Sequence, residues 1–374
     1  MSAPLDVLFL IRSLHLGGAE RQLTLLLLAM HAAGHRVRVA VFYAGGPFES
    51  ELQAAGVPVF HLNKSGRWDI LPFFFRLVRL IRQEKPAILH GYLPMSNILL
   101  WLARYFSPAS RLVWGVRVSD FDPGQYGWMG RLEGRLETRL ARQADLIICN
   151  SWKGLALVRQ RGFPQASTEC VPNGIDCSRF RPDAMARQRM RQLWSIASDR
   201  FVVGLVGRLD PVKNHPGFIQ AAAQLAINYP ALMFVCVGPG PDAYLKVLQE
   251  QVVSAGLEQK VIFTGACHDM PSAYNALDLF VSASLTEGSP NVLGEAMACG
   301  IAAVATDVGD AAWLMDDYGL IIPPGDSNAL ALAIEQAYLS HQQLHKDPRE
   351  RIISAFDATL LEQRTVALLH KQMS

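Results

Sequence analysis

Two glutamates, Glu287 and Glu295, are separated by seven residues in the stretch SLTEGSPNVLGEAMACG, residues 284–300. The run DLFVSAS before them is apolar and β-branched, and VLGEAMA has a helical spacing that stops at Gly300. That order reads strand, loop, helix. Ser289 is expected to cap the helix, with Pro290 at the first helical position, where a missing N–H costs nothing. The amides of residues 288–293 would then point out of the helix start and offer an anion site, suited above all to phosphate. Glu287 lies at the lip of that site. Glu295 is one turn further in, too deep to be a cap, and its functional reading is a carboxylate that accepts hydrogen bonds from a diol such as ribose. The other reading is a surface helix with an acidic residue near its start.

Cations stand where such a site would use them. In VGRLDPVKNH, Arg208 follows an apolar run and Lys213 comes five residues later. Together they can hold a diphosphate, Arg by its planar fork and Lys as a point charge; alone, they read equally as two solvated surface charges. In RSLHLGGAERQL, Gly17 and Gly18 follow the first apolar run and open a helix, which lets backbone approach a phosphate closely. A plain tight turn has the same signature.

The elements that must position these residues recur along the whole chain. DVLFLIRS, VRVAVFYA, PVFHL, AILHGY, RLVWGVR, DLIICNS and TECVPNG form one series of short apolar runs, with helical segments between them. FVVGLVGR, LMFVCVG, KVIFTG, DLFVSAS, AAVATDVG and GLIIPPG form a second. Strands alternating with helices give parallel sheets, so the fold class is α/β with two doubly wound domains. The series break in the turn-rich, Pro-interrupted stretch PNGIDCSRFRPD. Residues 1–178 are expected to form the first domain and 179–355 the second, with a helix over 356–374 returning to pack on the first. Ligands of such sheets bind at the carboxyl ends of strands, where all the residues named so far fall.

Composition agrees and excludes alternatives. A chain of 374 residues, 50% hydrophobic and 18% charged, is too long for one ordinary core and too apolar for long disorder. Its N-terminus, MSAPLDVLFLIRSL, reads as a first strand and not as a secretory leader, and no apolar run approaches the ~18–20 residues that span a bilayer. A cytoplasmic protein is expected. The six cysteines form no C-x-x-C pair and suit reduced core thiols. Residues 1–176 carry 20 Lys and Arg against 13 Asp and Glu, whereas residues 177–374 carry 15 against 20, which together give the net +2. The basic half suggests an anionic partner such as a membrane surface or a phosphate-bearing acceptor. Its arginines are scattered without a basic cluster, so nucleic acid is not the partner.

Three motifs are decoys by their chemistry. VGPGPDA fits a dinucleotide fingerprint through Gly238, Gly240 and Ala243, but Pro239 and Pro241 remove amides and Asp242 would repel phosphate. SDFD, with Asp120 and Asp122, resembles a metal-binding Asp-x-Asp, yet it belongs to the first series and not to the phosphate-binding features of the second. FFFRLVRLIRQEK could lie on a membrane surface, but Phe74, Leu77, Val78 and Ile81 fall at helical spacing and read as core.

Taken in order, LGGAERQL, HGYLP, NSWKG, VPNGIDCSRFRP, VGRLDPVKNH, SLTEGSPNVLGEAMACGIAAVATDVG and IIPPGD resemble the retaining glycosyltransferases of family 4, over nearly the whole chain. The resemblance implies the GT-B architecture, two Rossmann-like domains facing each other across a cleft. It implies that Glu287 holds hydroxyls of a donor sugar near the reacting carbon and that Glu295 accepts from ribose. It further assigns the amides of Asn291, Val292 and Leu293 to the diphosphate, Arg208 and Lys213 to charge on the departing nucleotide, and Gly17 and Gly18 to the same phosphates. Neither a metal nor another cofactor is implied. One position departs from the pattern: where many members read His-x-His, this chain has His90, Gly91 and Tyr92. Tyr92 can donate a hydrogen bond there but, with an ordinary pKa near ~10, is a poor base at neutral pH.

The resulting expectation is a cytoplasmic, retaining, metal-independent hexosyltransferase, peripheral to the inner face of the membrane. It would use a UDP-sugar, or failing that a GDP-sugar, and act on a glycan or lipid-linked acceptor in polysaccharide or glycolipid assembly. A nucleotide-sugar epimerase or phosphorylase of the same fold, or a non-catalytic sugar-nucleotide-binding protein, are the alternatives.

Overall fold

The computed structural model describes residues 3–66, 69–117, 128–340 and 346–373. Each of the thirteen apolar runs forms a strand. These are β1 (Asp6–Ile11), β2 (Arg36–Val41), β3 (Val59–His61), β4 (Ile88–Tyr92), β5 (Arg111–Val116), β6 (Leu146–Cys149) and β7 (Thr168–Cys170), then β8 (Phe201–Val206), β9 (Leu232–Val237), β10 (Val261–Gly265), β11 (Leu279–Ser282), β12 (Ala302–Thr306) and β13 (Leu320–Ile322). They pair in parallel in two sheets, ordered β3-β2-β1-β4-β5-β6-β7 and β10-β9-β8-β11-β12-β13. The chain divides into two compact units: Met1–Gly174 with Ala358–Ser374, and Ile175–Asp357. Each is a Rossmann-like domain.

Strand alternation builds both faces of each sheet. In β1, Leu8 and Leu10 enter a core with Phe73, Leu77, Leu100 and Trp114. Val7, Phe9 and Ile11 point the other way, into a core with Leu23, Leu27, Leu361 and Leu369. Strands covered on both sides read as continuous apolar runs, which is why they were plain in the sequence. The last two leucines lie on the helix Ala358–Met373, which packs along the helix Gly18–Ala32 of the same domain. In the second domain β8 does likewise: Val203 and Leu205 pack with Phe218 and Ile334, while Val202 and Val206 pack with Leu293, Met297 and Leu314.

Both sheets reverse their strand order once, between β1 and β4 in the first and between β8 and β11 in the second. At such a point the chain leaves neighbouring strands toward opposite faces, and a crevice opens at their carboxyl ends. Gly17 and Gly18 follow β1 and Tyr92 ends β4; Arg208 and Lys213 follow β8 and Glu287 follows β11. Asp120 and Asp122 lie outside the described residues. All six cysteines are free thiols.

One buried carboxyl supports the first switch point. Glu137, on the helix Trp128–Leu140, is buried and accepts a hydrogen bond from Asn97 Nδ2 at 3.2 Å. Asn97 is packed so closely on β4 that a Cβ at Gly91 would fall 2.5 Å from its Oδ1. Burial pushes the Glu137 carboxyl up to about 7, against weaker opposing effects of the Asn97 bond and the Arg161 charge. Its protonated form therefore contributes stability that is full below the ordinary value of 4.5 and is lost as pH rises through about 7. Glu137→Gln keeps the acceptor for Asn97 and removes the titration. Urea midpoints at about pH 5 and about pH 8 should differ less in this variant than in the native chain. An unchanged difference would mean that Glu137 ionises as freely in the folded chain as in the unfolded one.

Candidate active site

Beyond β8 the chain makes two tight, side-chain-capped turns. Asp210 Oδ1 accepts from the amide of Val212 at 3.0 Å and opens the single turn Pro211–Lys213. Asn214, in the left-handed region at φ 55°, then accepts from the amide of Gly217 and opens the helix His215–Ala226. Lys213 is held between these caps. From the neighbouring strand, the amide of Leu285 donates to the carbonyl of Val212 at 2.8 Å and ties the loop after β11 to this turn. The consequence is an ion pair from Lys213 Nζ to Glu287 Oε1. Ser284, buried, donates to the same oxygen at 2.8 Å. Two donors on one oxygen fix the orientation of this carboxylate.

The loop carrying Glu287 is clamped from β12 as well. Thr306 Oγ1 donates to the carbonyl of Ser284 at 2.7 Å, and the amide of Asp310 donates to that of Gly288 at 3.0 Å. Between them Gly309 sits at φ 56°, where a Cβ would fall 2.3 Å from the Gly288 oxygen. Only glycine meets both demands.

Glu295 is placed by a different route. The helix runs Asn291–Ala298, so it begins later than expected, and Ser289 is not its cap: Pro290 occupies the cap position and no side chain caps it. The carbonyl of Pro290 closes the first turn by accepting from the amides of Leu293 at 3.1 Å and Gly294 at 3.4 Å. The Leu293 amide, one of the three assigned to a diphosphate, is therefore committed within the helix. Glu295 follows one turn in, only 6% exposed, and Tyr274 Oη donates to its Oε2 at 2.7 Å. Tyr274 is itself wholly buried, on the short helix Met270–Asn275 capped by Asp269.

Arg208 is not drawn into this cluster. Its side chain is 79% exposed, and its nearest acid is Asp210 at 3.6 Å. The loop beneath it explains the dinucleotide decoy. A Cβ at Gly238 would fall 2.1 Å from the carbonyl oxygen of Gly207, and one at Gly240 2.3 Å from Leu209 Cβ, while the amide of Leu209 donates to Pro239 at 2.8 Å. These glycines let the loops after β8 and β9 pack together. His215, beside Lys213, is pushed down to about 4 by burial and by the lysine charge, so it is neutral at pH 7.

In the first domain, Gly17 is the extended cap residue of the helix Gly18–Ala32. Tyr92 is 2% exposed, and its hydroxyl accepts from Arg117 Nη2 at 2.8 Å. Arg117 also donates to Asn173 Oδ1 at 2.6 Å. The adjoining Gly174 exchanges two backbone hydrogen bonds, each of 2.9 Å, with the side-chain amide of Gln22. His90 is wholly buried, and burial followed by the Arg117 charge pushes it down to about 3. It is therefore neutral at pH 7 and only weakly basic.

The structure thus joins Lys213 to Glu287 and sets Glu295 on the following helix, in the second domain; Tyr92, Gly17 and Gly18 lie in the first. Sequence reasoning passed over Ser284, Thr306, Gly309 and Tyr274 in one domain and Arg117 and Gln22 in the other. The stretch ATDVGD carried Thr306 and Gly309, but no residue pattern marked their partners.

Known proteins match this arrangement. Residues 16–179 fit the family model described as Glycosyltransferase Family 4, and residues 200–340 fit Glycosyl transferases group 1. EpsD of Bacillus subtilis (strain 168), a proposed glycosyltransferase, is 34% identical over 277 residues, 72% of this chain and 71% of that one. A GDP-mannose-dependent alpha-(1-6)-phosphatidylinositol monomannoside mannosyltransferase of Mycolicibacterium smegmatis is 33% identical over 207 residues, 52% of this chain and 53% of its own length. The crystal structure of Anabaena HepE in complex with UDP superposes with a TM-score of 0.86 at 25% identity, covering 98% of this chain and all of that one. HepE has also been crystallised with UDP-glucose. The chain belongs to the group 1, family 4 glycosyltransferases of GT-B fold.

Proposed function

We propose that this chain is a retaining hexosyltransferase that takes its sugar from a nucleoside-diphosphate donor, UDP-linked in preference to GDP-linked, and passes it to a glycan or lipid-linked acceptor. The observation that carries this reading is the pair Lys213–Glu287 at the second switch point, with Glu295 one turn into the next helix. The site offers one group for each part of a sugar nucleotide: Glu287 for the sugar, Lys213 for the diphosphate and Glu295 for the ribose. UDP is favoured because the likeness to HepE, crystallised with UDP and with UDP-glucose, extends over the whole chain. The likeness to the GDP-mannose-dependent relative covers about half of it. That relative is also named for a lipid-borne acceptor, which supports the same acceptor class here.

In this reading Lys213 and Arg208 stabilise charge on the departing diphosphate, the largest contribution in a reaction whose rate depends on the leaving group. Glu287 meets the sugar as its reacting carbon becomes positive. The acceptor proton passes to the departing phosphate, so no basic side chain is required at Tyr92 or His90. Arg208 and Lys213 take the place of a metal. No helix among the described residues is long and apolar enough to cross a membrane, and the reading places the enzyme on the cytoplasmic side.

The reading is tested by thermal shift with UDP, GDP and UDP-glucose, followed by nucleotide release with and without acceptor. UDP at 100 times its dissociation constant should add ~2.7 kcal/mol, and GDP at equal concentration less. Release that requires acceptor supports transfer; interconversion of the sugar nucleotide without acceptor would establish the epimerase, and binding without turnover the non-catalytic protein.

The two glutamates should separate in kinetics. Glu287→Gln preserves the oxygen that accepts from Lys213 and Ser284, so the loop should keep its shape. It should lower single-turnover rate about 100-fold while leaving affinity for free UDP nearly intact. Glu295→Gln should mainly weaken UDP, and Tyr274→Phe, which withdraws the donor to Glu295, should weaken it about tenfold with little change in rate at saturation. The opposite partition between Glu287 and Glu295 would exchange their roles.

Activity should survive EDTA, because the charges offered to the diphosphate are side chains. Loss on chelation with rescue by manganese or magnesium would replace this account with a metal-dependent one.

A further inference from the structure

Glu49 is a buried carboxylate that the chemistry proposed above leaves without a task. It stands in the first turn of the helix Pro47–Ala54, after β2, with 8% of its surface exposed. Both of its oxygens are engaged. Oε2 accepts from the amide of Gly45 at 2.7 Å, while Oε1 accepts from Gln53 Nε2 at 3.2 Å and lies 2.7 Å from His61 Nε2, at the end of β3. A carboxylate can only accept, so His61 is its third donor. Donors on both sides fix the orientation of a group that would be costly to bury without them.

What this cluster holds is a turn. Gly45 and Gly46 stand at φ 94° and 109°, a conformation that favours glycine. Their chain runs close against the loop after β1: a Cβ at Gly46 would fall 2.4 Å from the carbonyl oxygen of Leu14, and the amide of Phe48 donates to that oxygen at 3.3 Å. The amides of Phe42 and Tyr43 also donate to the carbonyl of Arg12, each at 3.1 Å. Leu14 is wholly buried, whereas His15, Leu16, Gly17 and Gly18 after it are exposed. The turn after β2 therefore grips the last buried residue before the glycine pair.

A histidine beside a glutamate also suggests proton transfer, but the strand order argues against it. β3 is the edge strand, two strand spacings, ~10 Å, from β1 and the switch point between β1 and β4. The pair is placed to act through the backbone and not on a substrate.

We infer that Glu49 is a positioning residue for the glycine loop and that His61 orients it, so that a contact at the edge of the first sheet sets how Gly17 and Gly18 stand toward the donor diphosphate. This rests on the nucleoside-diphosphate donor proposed above.

The test is amide hydrogen exchange of the full chain with and without UDP. In the native chain UDP should slow exchange across residues 14–18. Glu49→Ala, which keeps a strong helix former in place, should speed exchange at Phe48 by about tenfold or more and abolish the slowing across 14–18, with exchange in β1 and β4 unchanged. His61→Leu should act in the same direction, and His61→Gln, which restores a donor, should resemble the native chain. If Glu49→Ala lowers the urea midpoint, the two His61 variants, at a side chain 34% exposed, carry the comparison. Slowing by UDP at residues 284–295 but not at 14–18, equal slowing at 14–18 in the native and Glu49→Ala chains, or equal behaviour of the two His61 variants would overturn the inference and leave the donor standing. No slowing by UDP anywhere would overturn the donor, and the inference with it.

Discussion

Lys213 meets Glu287 across 74 residues of sequence because β8 and β11 are hydrogen-bonded neighbours, paired in parallel from Val203 and Leu279 onward. That adjacency is a property of the strand order, and the rest of the second domain is arranged to exploit it. The caps at Asp210 and Asn214 fix the turn after β8, and the bond from Leu285 to Val212 sets the loop after β11 against it. Ser284 and Thr306 then lock that loop from within the sheet. A one-residue change in register between the strands would carry the carboxylate away from the cation, so the chemistry is specified by backbone pairing before any side chain is chosen.

The electrostatic design differs between the two cations. Lys213 is partly buried, and the carboxylate of Glu287 compensates its charge where it stands. Arg208 stands in solvent and is screened. One charge is held in place and the other is left in solvent. The same contrast holds for the carboxylates: Glu287 is held by a lysine and a serine on one oxygen, Glu295 by a buried tyrosine. In the first domain Arg117 ties the ends of β4 and β5 to Asn173, beyond β7, through Tyr92 and the asparagine side chain.

The strands, the doubly wound fold class and the family were legible because they rest on local pattern: apolar runs covered on both faces, and glycine, proline and capping residues at fixed offsets. Glu287, Glu295 and Lys213 could be singled out because polar residues at strand ends stand against an apolar background. What could not be read was contact at a distance. Nothing in TGACHDMPSAY announces that Tyr274 will reach Glu295, because that depends on how a short helix packs on the sheet. The helix start was misplaced for a local reason. Serine caps through its side chain, but Pro290 supplies a carbonyl that closes the turn, and the backbone solution prevailed over the side-chain one. The helix Ile70–Glu84 was read as core in preference to a membrane surface; it buries Leu77, Val78 and Ile81 as expected, but Phe73 in place of Phe74, which is only half-buried, because periodicity fixes the centre of a buried stripe more sharply than its edge.

The return of the helix Ala358–Met373 to the first domain bears on how the protein is made. Leu361 and Leu369 complete a core begun by Val7, Phe9 and Ile11 at the other extreme of the chain. During synthesis the first domain emerges early but lacks these two side chains until the whole of the second has been translated. The second domain, Ile175–Asp357, is continuous in sequence and can close on itself as soon as it leaves the ribosome. Throughout that interval the early domain exposes the groove along Gly18–Ala32 that its final helix will fill. The first domain is thus begun before the second and completed after it.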